Sequence, residues 1–518
     1  MIPSIFNDVI GPIMRGPSSS HSAGALRIGR LCLNLMNGNI KKTLIEYDPN
    51  GSLVTTHTSQ GTDMGLYGGF LGWEADDSRL PEYKKFIHEA GIDIKVSYVS
   101  YGATHPNTYK ITLWNEEGQH KLTALSTGGG MIHVVEVDDF KVAMDGDCYE
   151  LLIYLNSEAD SLTKRLEQEF DFLEISSQPG LINIKNNEAF SSGFISEVME
   201  NSAVTDIKVL EPVLPVLKQK NMKLPFSNAG EMESFATGKK LKLWELALEY
   251  EKARSGMSKE ELWEKMKHIS GIMSSAVKTG LAGTEYEDRL LPSQSPKFQK
   301  HLNEKSLIEA TALNQIIMQV SAVMESKSSM QTIVASPTAG SCGTLPGAVF
   351  GSATAMNSTD EQVIEALFAA GIIGVFIASG ATFAAEEAGC MAECGSASSM
   401  AAAALIHLAG GNLEQSLCAA SMSLQNSFGM ICDPIANRVE APCLGKNVMA
   451  ASNALSCANM ALSGYLHLIP LDEVIDAMAK VGKAIPHELC CTALGGLSVT
   501  PTAKTLEASL EPQKFKSC

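Results

Sequence analysis

Positive charge is scarce in this chain. Forty Lys and Arg stand against fifty-eight Asp and Glu among 518 residues, a formal net charge of −18. A surface that acidic repels phosphate backbones, which argues against a nucleic-acid partner. One long stretch has no positive charge at all: between Lys327 and Arg438 there is no Lys or Arg. The opening residues, Met1-Ile-Pro-Ser-Ile-Phe-Asn-Asp8, lack the basic and apolar regions of an export signal, so a cytoplasmic location is expected. In a reducing compartment the twelve Cys read as ligands or buried small residues rather than disulfides. Internal repeats and low-complexity tracts are missing too. Charged residues are 19% and hydrophobic residues 45%, which argues against global disorder and supplies a large core. The length suits about three to five domains.

The twenty uncharged residues from Ala366 to Ala385 have the length of a membrane span. They are rich in Ala, Gly and Ser, and their flanks are Glu365, Glu386 and Glu387 rather than Lys or Arg. The expected structure is a helix buried on all sides of a large helical domain, with no membrane partner.

The pattern along the chain is multidomain. Residues 1–147 mix short strand-like runs with Gly-rich turns, an α+β domain. Residues 148–212 follow the order βαββαβ, with strands at Tyr149–Leu155, Phe172–Ser176, Leu181–Lys185 and Val204–Leu210 and helices at Glu158–Phe170 and Ser192–Glu200. That order is the ferredoxin-like plait. Residues 213–225, Pro-containing and Lys-rich, read as a linker. Residues 226–518 show helical periods and no strong β period, so a large all-α domain is expected. Its helices are expected at Lys239–Arg254, Lys259–Lys278, Ser306–Glu325, Glu361–Ala385, Met400–Ala409 and Leu471–Val481.

Three Cys sit among helix breakers: Gly389-Cys390-Met391, Ile431-Cys432-Asp-Pro434 and Ala441-Pro-Cys443-Leu-Gly445. Such turns point thiolates outward, where a metal can collect them, although buried Cys is also a common small hydrophobe. Three thiolates on a four-iron cluster leave one iron open. Cys518, the last residue, is a thiol on a tail that can reach a fourth position. Cys394, Cys418, Cys457, Cys490 and Cys491 fit the small-hydrophobe reading better.

Gly16-Pro-Ser18-Ser19-Ser20-His21-Ser-Ala-Gly24 opens a helical run. Hydroxyls, an imidazole and backbone N–H groups at a helix N-terminus suit a carboxylate. The alternative is a plain N-cap. His57-Thr-Ser-Gln60-Gly-Thr62-Asp63 adds polar groups near a second turn, and Ser336-Pro-Thr338-Ala-Gly340 offers backbone donors or is a connector. The Gly128-Gly129-Gly130 loop could cradle a phosphate such as that of pyridoxal phosphate, but no strong lysine motif accompanies it.

On these residues the chain resembles the iron–sulfur-dependent L-serine dehydratases (L-serine ammonia-lyases), in a fused single-chain form. Gly16–Gly24, Gly61-Thr-Asp63, His105-Pro-Asn-Thr108 and Ser126–Gly130 look like the family's β part. Residues 149–211 look like an ACT-type module. Ser336–Gly347, the stretch after Gly389, Cys432-Asp-Pro434, Pro442-Cys443 and Gly445-Lys-Asn447 look like the α part. The resemblance implies a [4Fe–4S] cluster on Cys390, Cys432 and Cys443, with Cys518 capping the fourth iron at rest. It implies β-elimination from L-serine to pyruvate and ammonia. Ser18, Ser19, Ser20, Thr62, Asp63, Thr338 and Gly340 would then surround the substrate, in a homodimer. Gln60 departs from the family's usual His, so the base falls to His57 or His21. Two further departures are the segment 379–387 before the first ligand, which ends in Glu386-Glu387, and Cys490-Cys491-Thr-Ala-Leu-Gly-Gly496 in place of an Arg-Glu-Thr-like stretch. The rivals are the same chemistry on another β-substituted acid, and a non-catalytic iron–sulfur sensor.

Overall fold

The computed structural model describes residues 2–156, 160–220, 222–287 and 289–510. Its first strands are β1 (Ile13–Met14), β2 (Lys42–Tyr47), β3 (Asp93–Tyr98), β4 (Thr108–Trp114), β5 (Gln119–Gly128), β6 (Met131–Val137) and β7 (Phe140–Met144). β2 to β7 build one sheet in the order β3-β2-β4-β5-β6-β7. All neighbours are antiparallel except β2 and β3. In β5 every second residue from Leu122 to Gly128 is buried, as a sheet with one covered face requires. The cover is a pair of helices, Ala23–Leu35 and Thr62–Phe70, whose Ile28, Leu31, Leu66 and Phe70 share a core with Ile45, Ile111 and Leu122. Glycines let the two helices nearly touch. A Cβ on Gly65 would stand 2.0 Å from the Ser22 carbonyl, and one on Gly69 2.2 Å from that of Leu26. This crossing presses the Gly16–Gly24 loop against residues 60–63.

The next unit runs β8 (Tyr149–Leu155), helix Asp160–Glu169, β9 (Glu174–Gln178), β10 (Leu181–Asn186), helix Ser192–Met199 and β11 (Val204–Leu210). Its antiparallel sheet has the order β11-β8-β10-β9. Leu151, Ile153, Leu166 and Ile184 form its own core under the helices, while Leu152, Leu181 and Leu210 join the first unit's core. Residues 157–159, where the second unit's first helix was expected to begin, lie outside the described residues. The stretch after β11 carries no regular element until helix Ala229–Ala236. It is no loose tether, because Val213, Leu214 and Val216 are buried. Asn7 also clasps Val216 through both backbone groups, at 2.7 and 3.0 Å.

Helices dominate the rest. Asp360–Gly380 lies at the centre, apolar over most of its length and long enough to cross a membrane. Its faces meet protein instead: Leu243–Ser255, Lys259–Ala282 and Ser396–Leu408 pack around it. It ends at Gly380, short of the expected Ala385, because Ala381 turns to extended backbone. Three long helices had no bounds from the sequence: Thr344–Met356, Leu413–Gln425 and Cys443–Leu462.

Two findings correct the simple division of the chain. The C-terminal part is not purely helical, since β12 (Ile333–Val334) pairs antiparallel with β1. The opening residues send their apolar side chains out of the 1–147 core. Ile5, Phe6, Val9 and Ile10 are buried in the helical core, where Gly371 and Gly374 make room for Ile5 and Val9.

Candidate active site

The N-terminal wall of the site is the loop of residues 16–22. Ser22 precedes the helix but makes no side-chain cap bond, so the plain N-cap reading fails. The hydroxyls are turned to other work. Ser18 Oγ lies 2.9 Å from His21 Nδ1, Ser19 Oγ accepts the Ala339 N–H across the domain boundary at 3.2 Å, and the Ser20 carbonyl accepts from Ser126 Oγ. His21 is fully buried. Its Nε2 meets Thr56 Oγ1 at 2.9 Å and its Nδ1 stands 3.4 Å from Glu386 Oε1 of the helical domain. Burial holds its pKa below the ordinary value, with Glu386 pulling the other way, so at neutral pH the imidazole is uncharged and able to accept a proton.

His57 is placed differently. Its Nδ1 faces the Asp63 carboxylate at 2.9 Å and its Nε2 the Tyr98 hydroxyl at 2.9 Å, beneath the Tyr47 ring. Both nitrogens are engaged inside the N-terminal domain. Thr62 is buried at the start of its helix, next to Asp63.

The opposite wall comes from the helical domain. Thr338 Oγ1 donates to Glu393 Oε1 at 2.6 Å. Gly340 packs so closely on that carboxylate that a Cβ would lie 2.6 Å from Oε1. Burial, with repulsion from Glu386, pushes Glu393 up to about 7 against the Thr338 hydrogen bond.

The thiols converge from separate turns. Gly389, at φ 66°, kinks the segment that ends in Cys390, and a Cβ there would collide with the Met430 carbonyl. Cys432 and Cys490 form a parallel bridge: Cys432 N–H donates to the Leu489 carbonyl at 2.8 Å, and Cys491 N–H to the Cys432 carbonyl at 3.0 Å. Cys443 starts helix Cys443–Leu462. Cys432 lies within side-chain hydrogen-bonding reach of Cys390 and Cys491, and these neighbours, with burial, push its thiol up. All of these thiols are buried and free of disulfides.

Gly445-Lys-Asn447 clamps the turns together. Lys446 Nζ donates to the Ile431 carbonyl and Asp433 Oδ1, both at 2.6 Å, and stands 3.7 Å from Cys390 Sγ. Burial works against its charge, but Cys390 and Asp433 outweigh that and hold the ammonium above its usual pKa. Asn447 donates to the Gly340 and Cys443 carbonyls at 2.8 and 2.9 Å.

Between the walls runs a narrow cleft, lined by Ser18 and Gln60 on one side and Gly340, Glu386, Glu393, Cys432, Cys443 and Cys491 on the other. Of the residues expected around a substrate, Ser18 and Gly340 reach it; Ser19 and Thr338 bond to groups that form its walls. Cys518 lies outside the described residues. Sequence reasoning missed Glu393 and Cys491. Among the described residues no three His, Cys, Asp or Glu converge tightly enough to hold a single metal ion. A four-iron cube asks for something else, soft thiolates spaced round a volume. Buried unpaired thiols from distant turns, with an ammonium at Cys390, fit that donor set.

Residues 238–498 match the family model described as "Serine dehydratase alpha chain". "L-serine dehydratase 1" of Escherichia coli (strain K12) is 30% identical over 502 residues, covering 93% of this chain and 96% of that one. The chain belongs to the serine dehydratase family. In Bacillus subtilis (strain 168) the similarity is divided between two proteins. "Probable L-serine dehydratase, alpha chain" is 38% identical over 55% of this chain and 95% of its own length. "Probable L-serine dehydratase, beta chain" is 37% identical over 30% of this chain and 68% of its own length. This family member is thus a fused, single-chain form.

Proposed function

We propose that this chain is a cytoplasmic, homodimeric iron–sulfur lyase that converts L-serine to pyruvate and ammonia. The observation that carries the reading is the cleft itself. Buried free thiols on one side face Ser18 on the other, with the His21–Glu386 pair beside it. The names of the relatives supply the substrate.

A [4Fe–4S] cluster on Cys390, Cys432 and Cys443, with Cys518 as a displaceable fourth ligand, supplies Lewis-acid activation of the β-hydroxyl when bound. The chain's own groups do the rest. Ser18 orients the substrate carboxylate, Gly340 keeps the floor of the cleft flat, and Thr338 holds the Glu393 wall through its hydroxyl. Ser19 and Ser20, through Ala339 and Ser126, and Thr62 and Asp63 hold that frame from behind. The neutral His21 imidazole, acting with Glu386 at the cleft surface, takes the α-proton. His57, held by Asp63 and Tyr98, positions its wall rather than the proton. The Cβ–O bond breaks as the Cα–H bond does, and the departing hydroxide takes back the proton that His21 accepted and leaves as water. The resulting 2-aminoacrylate tautomerises and hydrolyses to pyruvate and ammonia. The βαββαβ unit is an ACT-like module in this reading.

A second reading keeps the chemistry and changes the substrate to another β-substituted acid. Gln60, and the acids Glu386 and Glu393 in the cleft, favour it. One experiment tests both: anaerobic reconstitution, iron and sulfide analysis, then pyruvate release from L-serine. Turnover that follows iron content supports the first reading. A loaded protein silent on L-serine but active on another member of a substrate panel supports the second, and silence on all of them indicates a sensor.

A further inference from the structure

Cys491 was read from the sequence as a small buried hydrophobe, and the structure gives it another place. It is 4% exposed and lines the same cleft as Cys432 and Cys443, facing Ser18 and Gln60. Its backbone sits at φ 61°, a left-handed conformation that costs a side-chain-bearing residue energy and persists only where surroundings impose it. The surroundings here are specific. The Cys491 N–H is tied to the Cys432 carbonyl, and Thr492 Oγ1 to the His487 carbonyl at 3.2 Å. From across the domain boundary the Gln60 amide Nε2 reaches Cys491 Sγ at 3.4 Å. The neighbouring thiol behaves differently: Cys490 Sγ turns to the Glu387 carbonyl, and Cys490 does not line the cleft.

We propose that Cys491 is a further thiol ligand of the iron–sulfur centre, seated beside Cys432 so as to close the iron that Cys390, Cys432 and Cys443 leave open. The inference rests on the cluster reading above. Closure is a ligand exchange: an Fe–S bond to Cys491 forms, the bond to the outgoing ligand breaks, and the Cys491 proton passes to that ligand, tail thiolate or hydroxide. No electron is transferred. Gln60, which cannot carry a proton at neutral pH, donates its amide N–H to the sulfur and orients it without competing for iron. Two thiols, Cys491 and Cys518, then share one coordination position, and removing the tail thiol alone leaves the cluster closed.

The test uses the full chain, loaded anaerobically, with iron and sulfide counted first. Cysteine alkylation is mapped residue by residue by mass spectrometry in apo and loaded protein, with Cys490 as the internal reference. Labelling of Cys491 is expected to fall several-fold on loading, together with Cys390, Cys432 and Cys443, while Cys490 changes little. The second readout is the electron paramagnetic resonance signal of the three-iron cluster left after mild ferricyanide oxidation. The Cys491→Ala, Cys518→Ala double variant is expected to give several times the signal of Cys518→Ala. Equal labelling of Cys491 with and without cluster, or equal three-iron signals in the two variants, overturns the proposal. A wild-type chain that takes up no iron and sulfide overturns the cluster reading itself, which separates the two failures.

Discussion

Asn447→Ala removes a side chain that is completely buried and bonded on every side. Its Oδ1 accepts from Gly343 N–H at 3.2 Å, Thr344 N–H at 3.0 Å and Thr344 Oγ1 at 2.9 Å. Its Nδ2 donates to the Gly340 and Cys443 carbonyls. Alanine leaves the Gly343 N–H and the Gly340 carbonyl without their partner, while the Thr344 N–H keeps the Ser341 carbonyl and its hydroxyl the Asn447 carbonyl. Each buried orphan costs about 1–3 kcal/mol, but relaxation and a trapped water recover part of the sum, so a net loss of about 3–5 kcal/mol is expected. For a large domain, about 2 °C of melting temperature is lost per kcal/mol, which places the fall at about 6–10 °C. Circular dichroism at the helical band, with the protein apo and reduced, measures it. The clamp also ties Gly340 to Cys443, so reconstituted iron per chain should fall. A melting temperature within about 2 °C of wild type would refute the reasoning, because so small a shift means the orphaned groups found other partners.

Five other outcomes follow from the same geometry. His21→Ala should lower turnover of the loaded enzyme about a hundredfold or more while iron stays bound; full turnover removes it as the base. Because burial depresses the His21 pKa, the unfolded chain takes up a proton below about pH 6.5 before the folded one does. Wild-type stability should therefore decline with acidification through that window more steeply than that of His21→Ala. Glu393, pushed up to about 7, stays protonated in the folded state where the unfolded carboxyl has ionised, so its contribution falls as pH rises from 4.5 to 7. Glu393→Gln keeps an acceptor for Thr338 and should be the more stable apo protein at pH 8, by up to about 3 kcal/mol in urea titration. Gly65→Ala drives a methyl into the Ser22 carbonyl and should cost about 1–3 kcal/mol, with lowered turnover as residues 60–63 shift. Cys390→Ser, Cys432→Ser and Cys443→Ser should each lose iron on reconstitution; three fully loaded variants would remove the ligand assignment.

Local signals carried much of the architecture. The periodicity of residues 149–210 announces two helices and four strands because each element buries one face of its own small core. The uncharged run from Ala366 to Ala385 announces a helix, and only its neighbours reveal that protein covers it. What stayed hidden depends on contacts between distant residues. β12 is two residues long, and nothing at Ile333–Val334 points to Ile13–Met14 as its partner. Cys490 and Cys491 look alike in a sequence. The bridge from Cys432 to Cys490 decides that one sulfur faces the cleft and the other turns away. His57 and His21 read alike in the sequence, whereas the structure sets His57 against Asp63 and Tyr98 and His21 against Ser18, Thr56 and Glu386. Glu393 carried no motif, and its high pKa comes from a burial that only the assembled walls create.

The opening segment has a consequence for synthesis. Ile5 and Val9 leave the ribosome early, while the grooves at Gly371 and Gly374 that receive them arrive more than 360 residues later. At about 5–20 residues per second that interval is roughly 20–70 s. During it this mostly apolar helical segment has no groove to enter while the sheet domain folds behind it. In a version of the chain cut between its two halves, the same stretch becomes an anchor, threaded from one polypeptide into the core of the other.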